Sequence, residues 1–185
     1  MKGIYLAAGN AVHSNYDIIY QDINNKRDIG GDMLDIELES FDYIIASPPC
    51  NYWSIARGSR CSNYSILTKH LLPCIIDKCI KLSKPFIVEN VKNNKRMTEN
   101  GIIPRNDCIV FTHGRHIYFT NVPFEYSNIP QRQDFKHHGY VIKYEDMDNQ
   151  YHQGGYNVHN VIEAFLHEVH NRKEVENDIQ KQGKS

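Results

Sequence analysis

The chain has 185 residues, 41% hydrophobic and 23% charged, with a formal net charge of −1. This is about one domain with a proper core and the composition of an ordinary soluble protein. No apolar run approaches the ~18 residues of a membrane span, no export signal opens the chain, and the overall charge does not advertise nucleic acid, so cytoplasmic residence is expected.

In chain order, residues 3–8 read as a first strand ending at Gly9, and residues 17–23 as a second that closes on Asp22. After a polar turn and Gly31-Asp32-Met33-Leu34-Asp35, residues 41–46 form a third strand. Apolar residues recur at helical spacing over 64–82, and Pro73 should kink that helix or mark a restart. Residues 85–87 are a further strand, and the polar stretch after Val91 reads as a loop. Residues 108–111 and 116–120 form a hairpin around His113-Gly114, and 124–153 is polar and irregular. Residues 157–171 make an amphipathic helix with Val158, Val161, Ile162, Phe165 and Val169 on one side, and the charged residues after it read as a fraying tail. Strands alternating with helical stretches predict an α/β protein, with a mostly parallel sheet and helices on both faces.

The five cysteines are odd in number and lack Cys-x-x-Cys spacing, which argues against a disulfide framework or zinc knuckle. Cys74 and Cys79 read as core residues of the predicted helix. His167-Glu168-Val169-His170 is one residue too short for the zinc-protease helix motif. His159, His167 and His170 therefore read as solvated or interface side chains, and no metal site is expected. Basic residues cluster at Arg57 and Arg60, at Lys92, Lys95 and Arg96, and at Arg132, Lys136, His137 and His138. They read either as solvated loops or as phosphate-tracking groups beside a site.

Two strings follow strands directly: Ser47-Pro48-Pro49-Cys50 and Val88-Glu89-Asn90-Val91. In open α/β sheets the ligand crevice lies outside the carboxyl ends of the strands. A thiol and a carboxyl delivered there from neighbouring strands suit covalent chemistry on an electrophilic ring. In this order the strings resemble the cytosine-C5 DNA methyltransferases. Cys50-Asn51-Tyr52-Trp53-Ser54 resembles that family's Pro-Cys-Gln-x-Phe-Ser stretch, with Asn51 for Gln and Trp53 for Phe. His113-Gly114-Arg115-His116-Ile117-Tyr118-Phe119-Thr120-Asn121 looks like a reduced form of its arginine motif, and Gly155-Tyr156-Asn157-Val158 resembles its late Gly-Asn-Ser/Ala-Val motif.

The resemblance implies a Rossmann-like methyltransferase fold over residues 1–170, followed by a polar tail at 171–185. It implies S-adenosyl-L-methionine as donor and cytosine-containing DNA as partner. Cytosine C5 is a poor nucleophile; a thiolate adding at C6, with a proton delivered to N3, turns the ring into an enamine that takes a methyl group. The matching residues are Cys50 as nucleophile, Glu89 as the N3 acid, Asn90 as the brace of the cysteine loop, and Arg115 on the flipped nucleotide. Burial would raise the pKa of Glu89 toward a donating state. The donor-pocket set carried over is Leu6, Gly9, Asp22, Ile23, Asp32, Met33, Pro48, Asn157 and Val158, with Asp22 on the ribose hydroxyls and Asp32 near the adenine.

Two departures from the family pattern matter. The first strand ends in Leu6-Ala7-Ala8-Gly9 rather than Phe-x-Gly-x-Gly, so the helix before Asp22 must be short or absent. Between the arginine motif and the last helix stand only residues 123–153, a reduced target-recognition region with room for a brief sequence context at best. Such a chain resembles the compact cytosine methylases of bacteriophages and suits unpaired or distorted DNA, in the host cytoplasm, in restriction–modification or its evasion. Two alternatives stand beside this reading: a non-catalytic decoy that occupies DNA or a partner enzyme, and an amino methyltransferase acting on cytosine N4 or adenine N6. The latter carries an aromatic residue where this chain has Cys50.

Overall fold

Six short apolar runs lie side by side in the computed structural model, which describes residues 1–24, 26–54, 66–129 and 153–182, with 153–157 and 182 described as backbone alone. They are β1 (Lys2–Leu6), β2 (Asp17–Tyr20), β3 (Tyr43–Ala46), β4 (Phe86–Val91), β5 (Ile109–His113) and β6 (His116–Thr120). Among the described residues the helices are α1 (Leu71–Leu82) between β3 and β4, α2 (Asn94–Glu99) after β4, and α3 (Gln153–Gln182). The sheet order is β2-β1-β3-β4-β6-β5. The first four strands are parallel, and the β5–β6 hairpin closes the other edge antiparallel. This is the mostly parallel α/β sheet expected, with helices on both faces.

The burial pattern explains the register. Every residue of β3 is buried, as for a central parallel strand covered on both sides. Alternate side chains feed two cores. One gathers Ile4, Leu6, Ile44, Phe86 and Val88 with Trp53, Met97 and the α1 residues Leu72, Ile75, Ile76 and Cys79. The other gathers Tyr5, Tyr43, Ile45, Ile87 and Tyr118 with Val161, Ile162, Phe165, Leu166 and Val169 of α3. Gly3 is dictated by close approach: a Cβ there would lie 2.0 Å from the Tyr43 ring.

Helix ends follow local chemistry. α1 opens with Cys74 N–H donating to His70 O at 3.1 Å. Pro73 sits in the first turn, where a missing N–H costs no intrahelical bond. The predicted restart thus falls at Leu71, and Ser83 in the left-handed region ends the helix with its N–H on Ile80 O.

Three expectations need correction. The polar stretch after Val91 holds the short helix α2, whose N-cap Asn93 accepts from Arg96 N–H. The last helix runs through Gln182 rather than ending at 171; its exposed end carries Lys173–Glu176 and Lys181–Asp178 pairs at 3.7 and 3.5 Å. Cys74, expected in the core of the helix, is exposed, whereas Cys79 is buried as expected. The first helix is indeed absent between β1 and β2. Among the described residues no helix is long and apolar enough to cross a membrane.

Candidate active site

Cys50 stands beyond the carboxyl end of β3, exposed as a thiol. The chain there leaves the sheet through Ser47 N–H, which still donates to Leu6 O at 3.1 Å, and then turns so that Cys50 O accepts from Trp53 N–H at 3.0 Å and Ser54 N–H at 2.8 Å. Three side chains, from β4, the α2 N-cap and α2, fasten this loop. The Asn90 amide donates to Pro48 O at 2.8 Å and Asn93 donates to Trp53 O at 2.9 Å, while the Arg96 guanidinium donates to Tyr52 O. Asn90 itself is fixed by Val91 N–H donating to its Oδ1 at 3.0 Å. Arg96, placed by sequence in a basic cluster, is engaged in holding the cysteine loop, whereas Lys92 and Lys95 are exposed. Arg57, Arg60, Arg132, Lys136, His137 and His138 lie outside the described residues.

Glu89 lies on β4, the strand adjoining β3, one residue past the Ala46–Val88 pair. It is 9% exposed. Burial pushes its carboxyl up to about 7, against the opposing pull of a hydrogen bond from the Ser47 hydroxyl. Ser47 Oγ also shares a hydrogen bond with Tyr5 Oη at 2.9 Å, so a chain of hydroxyls runs from β1 to the carboxyl. Tyr118 is directly opposite Glu89 on β6, and His116 brings Nε2 to 3.7 Å from Glu89 Oε1. That distance would suit an ion pair. Burial, with Arg115 and His113 close by, instead pulls His116 down to about 4, so the imidazole is neutral near pH 7. Tyr118 Oη, His116 Nδ1 and His113 Nε2 are buried without hydrogen-bond partners.

Arg115 occupies the two-residue turn of the hairpin beside Gly114, whose φ of 58° lets the chain reverse there. Its side chain is exposed and its carbonyl accepts from Lys92 N–H at 2.7 Å, which ties the turn to the end of β4.

Of the residues expected at the donor pocket, Gly9, Asp22, Ile23 and Asp32 lie beyond the carboxyl ends of β1 and β2, and Leu6, Met33, Pro48 and Val158 do not present side chains there. Asp22 Oδ2 accepts from Gly9 N–H at 3.0 Å and its Oδ1 from Asn24 N–H at 3.1 Å. Gly9 has φ of 54°, and a Cβ built on it meets nothing within 4 Å, so the turn opens onto space. Ile23 is 67% exposed beside Asp22. Asp32 is exposed and accepts from Leu34 N–H at 2.9 Å. Leu6 and Met33 have side chains buried in the α1-side core. Pro48 is buried in the cysteine loop, Val158 packs against the α3-side core, and Asn157 lies in the backbone-only part of α3.

Sequence reading missed several supports. Gln21, 1% exposed, accepts from Ala7 N–H at 2.9 Å and donates to Gly31 O at 2.6 Å, bridging both donor-side loops. Arg27 donates to Gly9 O at 2.6 Å and Ala11 O at 2.8 Å. Tyr5, Ser47, His116 and Tyr118 were likewise not singled out, although Ser47 and His116 stand inside the strings that carry the resemblance.

A family model described as C-5 cytosine-specific DNA methylase matches residues 5–105. The matched span includes Gly9, Asp22, Cys50, Glu89 and Asn90 and stops before Arg115 and α3. No curated protein matches the chain.

Proposed function

Because this chain belongs to the C-5 cytosine-specific DNA methylase family, we propose that it methylates C5 of cytosine in DNA through a covalent bond between Cys50 and C6. The observation that carries this reading is the pairing of an exposed thiol with a buried carboxyl of pKa about 7 at the same ends of adjacent parallel strands. The Cys50 thiolate adds to C6 as Glu89 gives its proton to N3, which leaves a nucleophilic C5. After C5 is methylated, a solvent base takes the C5 proton, the electron pair of that bond re-forms the C5–C6 double bond and expels the thiolate, and N3 returns its proton to Glu89. Asn90 holds the Pro48 carbonyl and so aims the cysteine loop. Arg115, exposed at the hairpin tip, steadies the flipped nucleotide by charge.

The donor edge fits S-adenosyl-L-methionine. Gly9 leaves room for a ligand to approach the backbone, Asp22 and Asp32 offer carboxylates for hydroxyl and adenine contacts, and Ile23 offers an exposed apolar surface. That donor, when bound, supplies the methyl group as an electrophile. The short span between hairpin and α3 favours unpaired or distorted DNA and a compact, phage-type enzyme working in a host cytoplasm.

The test is incubation with labelled donor and DNA containing 5-fluorocytosine. Fluorine blocks loss from C5, so a denaturation-resistant protein–DNA adduct should accumulate and vanish in Cys50→Ser. Methylation without an adduct would reject the mechanism.

One observation favours a second reading, a non-catalytic decoy: Asp22 already accepts from Gly9 N–H and Asn24 N–H. Titration of S-adenosyl-L-methionine into the protein separates the two. No heat of binding and no thermal shift would favour the decoy.

A further inference from the structure

Away from Cys50 and Glu89, two imidazoles and a carboxylate converge where the β1–β2 connection crosses α3. His13 comes from that connection, with its backbone N–H donating to Tyr20 Oη at 2.7 Å. His159 and Glu163 come from α3, four residues apart and therefore on one face. His13 Nδ1 lies 2.5 Å from Glu163 Oε1, and His159 Nε2 lies 3.6 Å from the same oxygen. The two imidazole rings stack at 4.5 Å with 6° between planes. All three donor atoms fall within 4.8 Å of one another.

Those separations bracket what a tetrahedral ion requires. Bonds of ~2.0–2.1 Å place neighbouring ligand atoms about 3.3 Å apart, so binding requires the His13–Glu163 pair to open and the stacked imidazoles to turn until both ring planes contain the ion. Two nitrogens and one oxygen suit zinc, cobalt or nickel, whereas magnesium and calcium favour oxygen alone. Burial is graded in the same sense. His13 is 1% exposed, while His159 and Glu163 are 28% and 29% exposed, which closes the inner side and leaves the outer side open for a water ligand. We propose that His13, His159 and Glu163 bind one divalent transition-metal ion of the zinc class, fastening the β1–β2 connection to α3. Binding displaces the proton shared between His13 Nδ1 and Glu163 Oε1. The proposal is independent of methyl transfer.

The test uses the full chain, stripped with a chelator and freed of it, titrated calorimetrically with zinc chloride and followed with cobalt(II) by visible absorption. One ion per chain is expected, with a tetrahedral cobalt spectrum lacking a thiolate charge-transfer band and a thermal transition that rises with zinc. His159→Ala and Glu163→Gln should each weaken zinc binding by roughly tenfold or more. His167→Ala, exposed on the same helix, should leave the affinity unchanged. Absence of stoichiometric uptake, or equal affinity in His159→Ala, would overturn the proposal. Should the alanine variant not fold, the wild-type cobalt spectrum decides: a thiolate band places the ion on cysteine and overturns it, and a nitrogen–oxygen spectrum supports it.

Discussion

The two ends of the proposed reaction are built in opposite ways. At the β3–β4 end, an exposed thiol and a buried carboxyl stand at the same ends of adjacent strands, and side chains of β4, the α2 N-cap and α2 fix the cysteine loop by its carbonyl oxygens. At the β1–β2 end Gly9, Ile23 and Asp32 are exposed, and Gln21, Asp22 and Arg27 hold a loop that has no helix to support it. The cytosine side thus depends on a carboxyl's protonation in a low-dielectric place, whereas the donor side depends on backbone shape. Changes at the first end should strike the chemical step and those at the second should strike donor affinity.

The sharpest test of that division is Cys50→Ala. It should lower methyl transfer by at least about 10³-fold, because the substitution removes the sulfur that forms the C6 bond in the proposed mechanism. Donor and DNA affinities, measured by calorimetry and gel shift, should change little. Next in size is Glu89→Gln, with an expected loss of about 10²–10⁴-fold. In the wild type the donating carboxyl is lost as pH rises through about 7, so kcat should carry a limb falling there that is absent from the glutamine variant. Stability follows the same group. Its folded pKa lies above the 4.5 of the unfolded chain, so the native state binds more protons between the two values and stability falls as pH rises from about 4.5 to 7. Glu89→Gln should flatten that fall in a series of thermal melts, leaving the opposite slope due to His116, whose pKa is lowered from 6.5 to about 4.

Asn90→Ala probes the brace. It leaves the Pro48 carbonyl without its buried donor, at a cost of about 1–3 kcal/mol in urea unfolding. Misplacement of Cys50 should reduce kcat by up to about 10²-fold, with donor affinity unchanged. At the other end, Asp22→Ala should weaken the donor by about tenfold, one charge-assisted hydrogen bond, with kcat nearly kept at saturation.

What the sequence made legible is what local rules control. β3 and β4 were found because their apolar runs end in Ser-Pro-Pro-Cys and Glu-Asn-Val, and the hairpin because its strands flank His113-Gly114. The helix period exposed α1, but not α2, in which Met97 is the buried residue and the cap is a single asparagine. Nor did it show the continuation of α3, whose residues 171–181 are all exposed, Val175 and Ile179 included, so that no buried face marks it. The reacting pair was legible for the same reason as its strands. Its surroundings were not: Tyr5 meets Ser47 across 42 residues, and His116 reaches Glu89 only through the register that pairs it with Val91. The His13–Glu163 contact spans 150 residues, and nothing in the spacing of the histidines announces it.

Arg27 offers the finest test of the donor side. Its guanidinium reaches both Gly9 O and Ala11 O and lies over the Tyr20 ring at 5.3 Å, so it grips the glycine turn from outside while Asp22 holds the Gly9 N–H. Both carbonyls can turn to water when the side chain is removed, so Arg27→Ala should cost no more than about 1 kcal/mol in stability. The loosened turn should raise KM for the donor by a few-fold, on the order of one hydrogen bond, and leave kcat unchanged. Arg27→Lys separates shape from charge, because an ammonium keeps the charge and loses the planar fork that spans two carbonyls. Equal KM in lysine variant and wild type would mean that charge alone sustains the turn. A KM matching the alanine variant would mean that the donor site is shaped by geometry, as its absent helix requires.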